Sequence, residues 1–273
     1  MDRKAFREIL KGRKPAWGTY VLEYMTPHTV RTLKRAGFDW VWIENEHSPH
    51  SYETIQEVVR TADDIGIMTI MRVTQGEYSL IARALDMGVN GIIVPRVETP
   101  EQVRHYIDCA KYPPVGKRGF GIRSSIYGKT SMSMRERIDD QTDHRFLFIQ
   151  LESQLGVDNL DAMLTEAKGY VDCVLVGPAD FQMDIGKPDQ WEAPELMTAM
   201  ARIPEICKKH GVSCGYPVRN AEEAKFRFEQ GFNFINIGSD DSFLAIGAEE
   251  SVTALDAILE GKSTQRVKKN IDY

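Results

Sequence analysis

Three groups of charged residues combine types and spacings that can do chemistry. The first is Glu44-Asn45-Glu46-His47-Ser48-Pro49. Two carboxylates beside an imidazole can tune its proton affinity, which acid/base work requires. The same residues also suit a solvated loop leading into a helix. The second is Arg72, near the end of the apolar run Thr69-Ile70-Met71-Arg72-Val73. A guanidinium leaving such a strand needs a partner, either a substrate anion or a structural ion pair with Glu44 or Glu98. The third joins Glu152, after Phe146-Leu147-Phe148-Ile149-Gln150-Leu151, with Asp180, after Val174-Leu175-Val176-Gly177-Pro178-Ala179. Two hard oxygen donors from neighbouring strands can grip Mg²⁺ or Mn²⁺ and leave positions for water and substrate. Carboxylates in α/β proteins also cap helices and pair with arginines, so this group has two readings as well.

Each group follows an apolar run, so the elements that position them come next. Short β-branched and aromatic runs alternate with segments of helical periodicity. The pattern predicts strands at Trp17–Glu23, Asp39–Glu44, Met68–Val73, Gly91–Pro95, Arg145–Glu152, Asp172–Gly177, Val212–Tyr216 and Phe234–Gly238. Between them it predicts helices at Pro27–Ala36, Tyr52–Asp64, Ser79–Met87, Pro100–Lys111, Asp158–Ala167, Pro194–His210, Ala221–Glu229 and Asp241–Leu259. Several helices end on glycine, as in Ala36-Gly37 and Met87-Gly88. Eight strand–helix units in 273 residues suit one α/β (β/α)8 TIM barrel, whose typical length is about 250 residues. We assign residues 1–261 to the barrel and 262–273 to a polar C-terminal tail.

The segment Tyr112–His144 interrupts the rhythm with Pro-Pro, four glycines and a charged run, and connections of that length are usually functional or mobile. Its glycines can bring backbone N–H groups close to an anion, or simply make turns.

Bulk properties exclude several functions. A net charge of −6 and scattered positive residues leave no field for nucleic acid. No apolar run of about 18 residues points to a membrane. Four cysteines without CxxC spacing suit a reducing compartment, and the N-terminus shows no apolar leader region, so a cytoplasmic location is expected. None of the predicted strands ends in lysine, which favours metal dependence over imine chemistry.

In order, the segments Phe38–His47, Met71-Arg72-Val73, Ala84–Gly88, Gly91–Pro95, Tyr112–Gly119, Gln150–Ser153 and Val176–Asp180 resemble the class II pyruvate aldolase family. That family includes hydroxy-oxo-heptanedioate and 2-keto-3-deoxy sugar-acid aldolases, and the likeness spans roughly residues 5 to 255. It implies a metal-dependent, reversible retro-aldol cleavage of a 4-hydroxy-2-oxo acid to pyruvate and an aldehyde. The alternatives are a metal-dependent lyase or decarboxylase acting on oxaloacetate or on a malyl- or citramalyl-CoA type thioester, and a catalytically silent metal-binding barrel.

By the same resemblance Glu152 and Asp180 hold the divalent metal (Mg²⁺, Mn²⁺ or Co²⁺), Arg72 stabilises the enolate oxygen, and His47 is the acid/base. Gln150 and the backbone of Gly177, Pro178, Ala179 and Asp180 seat the pyruvate carboxylate. Glu44 occupies the place of the aspartate that usually supports the histidine, and Asn45 that of a glycine. Arg123, in a region unlike the sugar-acid aldolases, is a candidate reader of an acidic substrate. The family also implies a homo-oligomer, a trimer or hexamer, which Phe243, Leu244 and Ile246 of the last helix would support if exposed.

Overall fold

A computed structural model describes residues 1–121 and 131–258. Its centre is a closed barrel of eight parallel strands in sequential order, each hydrogen-bonded to its neighbours and the last to the first. The strands are β1 (Ala16–Val21), β2 (Trp40–Glu44), β3 (Met68–Arg72), β4 (Gly91–Val94), β5 (Phe146–Leu151), β6 (Cys173–Val176), β7 (Ser213–Val218) and β8 (Phe234–Ser239). The eight predicted strands all form. Their bounds shift by one or two residues, the usual scatter at element ends.

Among the described residues the helices are α1 (Arg3–Lys11), α2 (Pro27–Ala36), α3 (Tyr52–Ile65), α4 (Tyr78–Met87), α5 (Pro100–Ala110), α6 (Met134–His144), α7 (Gln154–Ala167), α8 (Pro178–Asp184), α9 (Pro194–His210), α10 (Ala221–Glu229) and α11 (Asp240–Ile258). Bounds for α2, α9 and α10 are those predicted. Helix α7 begins four residues earlier than its periodicity indicated, because the Ser153 hydroxyl caps it by accepting the Gly156 N–H.

Three helices were not predicted. Helix α1 is capped by Asp2, and its Phe6 and Leu10, one turn apart, are buried. Phe6 closes the bottom of the barrel, edge-on to Phe146 at 5.2 Å and Phe234 at 5.9 Å. Helix α6 lies inside the long connection and starts with a capping box of Ser133 and Glu136. Helix α8 makes the segment carrying Asp180 the first turn of a short helix rather than a loop.

The apolar core has two layers. One fills the barrel with Trp40, Trp42, Ile70, Phe146, Phe148 and Phe234, and the other lies between the strands and the surrounding helices. Aromatic side chains occupy the lower interior, so polar residues on the inner face concentrate at the carboxyl ends of the strands, where barrel chemistry sits. Cys109, Cys173, Cys207 and Cys214 are free and buried, as expected of packing residues. Helix α11 differs from the others in exposing Phe243, Leu244, Ile246, Val252, Leu255 and Ile258. Among the described residues no helix is long and apolar enough to cross a membrane. Arg123 and the tail 262–273 lie outside the described residues.

Candidate active site

Strand β2 delivers Glu44 to the mouth on the inner face it shares with Trp42. The carboxylate is 1% exposed and fully engaged. Its Oε2 accepts from Trp42 Nε1 at 3.1 Å and Arg72 Nε at 2.8 Å; its Oε1 accepts the backbone N–H groups of Glu46 at 2.7 Å and His47 at 2.9 Å. Of the two readings of Arg72, the ion pair with Glu44 is therefore present. Glu44 does not support the His47 ring, because its oxygens are spent on the Arg72 guanidinium and on the backbone of the following turn.

The carboxylate nearest the His47 ring is Glu46, with Oε2 3.8 Å from Nε2. The His47 side chain is 59% exposed, whereas Glu46 is turned inward and lies 3.3 Å from Arg72 Nη1 and 3.6 Å from Arg96 Nη2. Burial works against the charge on Arg72, and Glu44 and Glu46 more than offset it, holding the guanidinium above its ordinary pKa.

Glu152 sits one residue beyond the end of β5 and is buried. Burial, reinforced by the neighbouring charge of Asp180, pushes its carboxyl up to about 7; Arg72 and the Arg96 N–H, which donates to Oε2 at 3.0 Å, pull the other way. Asp180, in the first turn of α8, is exposed toward the mouth. Gly177, at the N-cap of α8, lies against Glu152 and Gln150. A Cβ there would lie 2.6 Å from Glu152 Oε1 and 2.8 Å from Gln150 Nε2, so glycine leaves the room that both side chains occupy. Gln150 is buried, with Oε1 lacking any hydrogen-bond partner among the described residues.

A buried carboxyl whose proton affinity is raised beside a second carboxylate, with an unpartnered amide oxygen two residues before it in the chain, fits a divalent cation. Among the described residues no group of three or more His, Cys, Asp or Glu side chains could hold one alone. The donor set is that of an open site, completed by water or substrate.

A profile of the HpcH/HpaI aldolase/citrate lyase family matches residues 20–246. The chain belongs to that family. It is 31% identical over 217 residues to a 5-keto-4-deoxy-D-glucarate aldolase from Salmonella paratyphi C, covering 79% of this chain and 82% of the relative. To a hydroxypyruvate/pyruvate aldolase from Delftia acidovorans it is 30% identical over 243 residues, covering 88% and 87% of the two chains. The crystal structure of an HpcH/HpaI aldolase from Desulfitobacterium hafniense DCB-2 superposes with a TM-score of 0.85 at 26% identity, over 92% of this chain and 96% of that one. The protein is accordingly an enzyme, a carbon–carbon lyase of the aldolase type, and the class II pyruvate aldolase resemblance holds.

Within this HpcH/HpaI barrel the structure adds residues that the sequence reading passed over. The Tyr20 phenol is buried, which raises its pKa, and it feels the charges of Arg72, Glu44 and Glu152. Asn236 projects from β8 with both amide atoms buried and unpartnered among the described residues. A period of two along β8 puts Asn236 on the inner face with Phe234, and that spacing was a signal available in the sequence. Arg96, with φ of 55°, takes part through both its backbone and its side chain.

Proposed function

We propose that the protein cleaves a 4-hydroxy-2-oxo acid reversibly into pyruvate and an aldehyde, using a divalent metal held by Glu152 and Asp180. The observation that carries this reading is the buried Glu152 carboxyl, seated in the space that Gly177 leaves open and pushed up to about 7 by burial and by the neighbouring charge of Asp180. Mg²⁺, Mn²⁺ and Co²⁺ all suit such oxygen donors. When bound, the ion supplies Lewis acidity at the 2-oxo group.

The remaining work falls to side chains of this chain. Gln150 and the backbone of Gly177, Pro178, Ala179 and Asp180 orient the substrate carboxylate. Arg72 commits Nε to Glu44 and sits against Glu46, which fixes its plane and aims its other donors at the oxygen that gains charge as the C3–C4 bond breaks. Glu44 acts through Arg72 by holding it in place. His47, with Glu46 beside it, takes the proton from the 4-hydroxyl.

Exposed Phe243, Leu244, Ile246, Val252, Leu255 and Ile258 on α11 support assembly into a homo-oligomer, a trimer or hexamer. Light scattering should return a multiple of 31.0 kDa; the monomer mass would contradict it. Four free buried cysteines support a cytoplasmic location.

The function itself is tested by following pyruvate release from a panel of 4-hydroxy-2-oxo acids. Release that stops with EDTA and returns with Mg²⁺, Mn²⁺ or Co²⁺ is the expected result. No pyruvate from any donor under any metal would overturn the reading.

A further inference from the structure

We propose that Arg96 is a specificity residue that binds a carboxylate at the far end of the substrate, the part that departs with the aldehyde. This rests on reading the barrel mouth as an aldolase centre.

Strand β4 ends at Val94, and the chain turns out over the mouth through Pro95 and Arg96. Arg96 has φ of 55°, in the left-handed region that few non-glycine residues adopt. That conformation directs its N–H to Glu152 Oε2, 3.0 Å away. The main chain of Arg96 is thus tied to a carboxylate of the reacting centre. Its side chain then runs toward β2, where Nη2 comes within 3.6 Å of Glu46 Oε1. This is an ion-pair distance, beyond the usual reach of a hydrogen bond. No hydrogen bond among the described residues uses the Arg96 guanidinium, and the side chain is 67% exposed.

The contrast with Arg72 assigns the two cations different tasks. Arg72 is 12% exposed, with Nε bound to Glu44 and Nη1 facing Glu46. It serves the buried end of the pocket. Arg96 offers unspent donors to whatever part of a ligand extends toward solvent. Glu46 stays anchored by Arg72 when Arg96 turns to a ligand, so the exchange leaves no buried charge alone.

A guanidinium fork fits carboxylates and phosphates alike. The mouth already holds Glu44, Glu46, Glu152 and Asp180 against Arg72 and Arg96. With the proposed divalent ion on Glu152 and Asp180 these charges balance, so the unspent donors of the single cation Arg96 match the one charge of a carboxylate better than a phosphate dianion.

The test compares two probes with the same 2-oxo acid head and five carbons. 2-Oxoglutarate carries a tail carboxylate and 2-oxopentanoate does not. Each is titrated calorimetrically into the Mn²⁺-loaded wild type, Arg96→Met and Arg96→Lys. The wild type should bind 2-oxoglutarate roughly tenfold more tightly, the size of one charge-assisted hydrogen bond at a half-wet site. Arg96→Met should lose that preference and Arg96→Lys keep part of it, with 2-oxopentanoate reporting in each variant whether the head site is intact. Equal affinities in the wild type, binding of neither probe, or a preference that survives in Arg96→Met would overturn the proposal. No turnover is needed, so a failure here is distinct from failure to release pyruvate.

Discussion

Glu44 and Arg72 are register partners on neighbouring strands, and the guanidinium Nε lies 2.8 Å from the Glu44 carboxylate at the top of the barrel interior. The pair joins two tasks, because Glu44 holds Arg72, the group proposed to face the reacting oxygen, and also fixes the Glu46–His47 turn. Glu44→Ala should strip Arg72 of its main counter-charge and leave two backbone N–H groups without their acceptor. Breaking a buried pair from one side costs on the order of 3 kcal/mol. Denaturant unfolding should show that loss, and a change below about 1 kcal/mol would place the pair among the weak surface bridges instead.

Gly177 is predicted to act by leaving space. Its φ of −103° is open to any residue, so the backbone of Gly177→Ala is unstrained. The new Cβ would meet Glu152 Oε1 and Gln150 Nε2 at less than contact distance. Metal affinity measured by Mn²⁺ titration should fall at least tenfold while the far-ultraviolet circular dichroism stays native, since 1.4 kcal/mol of displacement suffices for that factor. Wild-type affinity in this variant would show that the carboxylate has room to move.

A buried lysine offers a pH signature away from the site. Lys111 Nζ donates to the carbonyls of Thr142 at 2.8 Å and Arg145 at 2.6 Å, and burial pushes its pKa down to about 8 from an ordinary 10.5. Between those values the unfolded chain binds more protons than the folded one, so this group's contribution to stability rises with pH. Below pH 8 the ammonium is charged in both states and gives no slope. The stability of wild type minus Lys111→Met should therefore increase from pH 8 toward 10.5, by at most about 1.4 kcal/mol per unit. A flat difference across that window would contradict the assignment.

The barrel was legible because its causes are local. Runs such as Gly91-Ile92-Ile93-Val94 and Val174-Leu175-Val176 are apolar on both faces, and glycines such as Gly37 and Gly88 adopt the positive φ that ends a helix. Helix α1 was not, since only Phe6 and Leu10 mark its apolar face and packing under Phe146 and Phe234 decides the matter. The capping box that opens α6 is visible in Ser133 and Glu136, but the charge run behind it reads equally as part of a functional or mobile connection.

At the site, residue types announced Glu152, Asp180, Arg72 and His47 as candidates, and strand order put them at one mouth. What sequence could not supply was which carboxylate faces which cation. That depends on the turn after Glu44, where the carboxylate takes up the N–H groups of Glu46 and His47 and swings Glu46 inward to Arg72. Arg96 was hidden for the same reason, because its role follows from one backbone torsion and one hydrogen bond to Glu152.

In the proposed reaction Glu152 and Asp180 together hold the metal on which cleavage depends. The most direct measurement is pyruvate release from a cleaved 4-hydroxy-2-oxo acid by wild type, Glu152→Ala and Asp180→Ala, each stripped with EDTA and titrated with Mn²⁺. Full recovery is expected in the wild type and a loss of at least a hundredfold in both variants, equivalent to about 2.7 kcal/mol of transition-state stabilisation. Wild-type rates from either variant at the same free Mn²⁺ would contradict it.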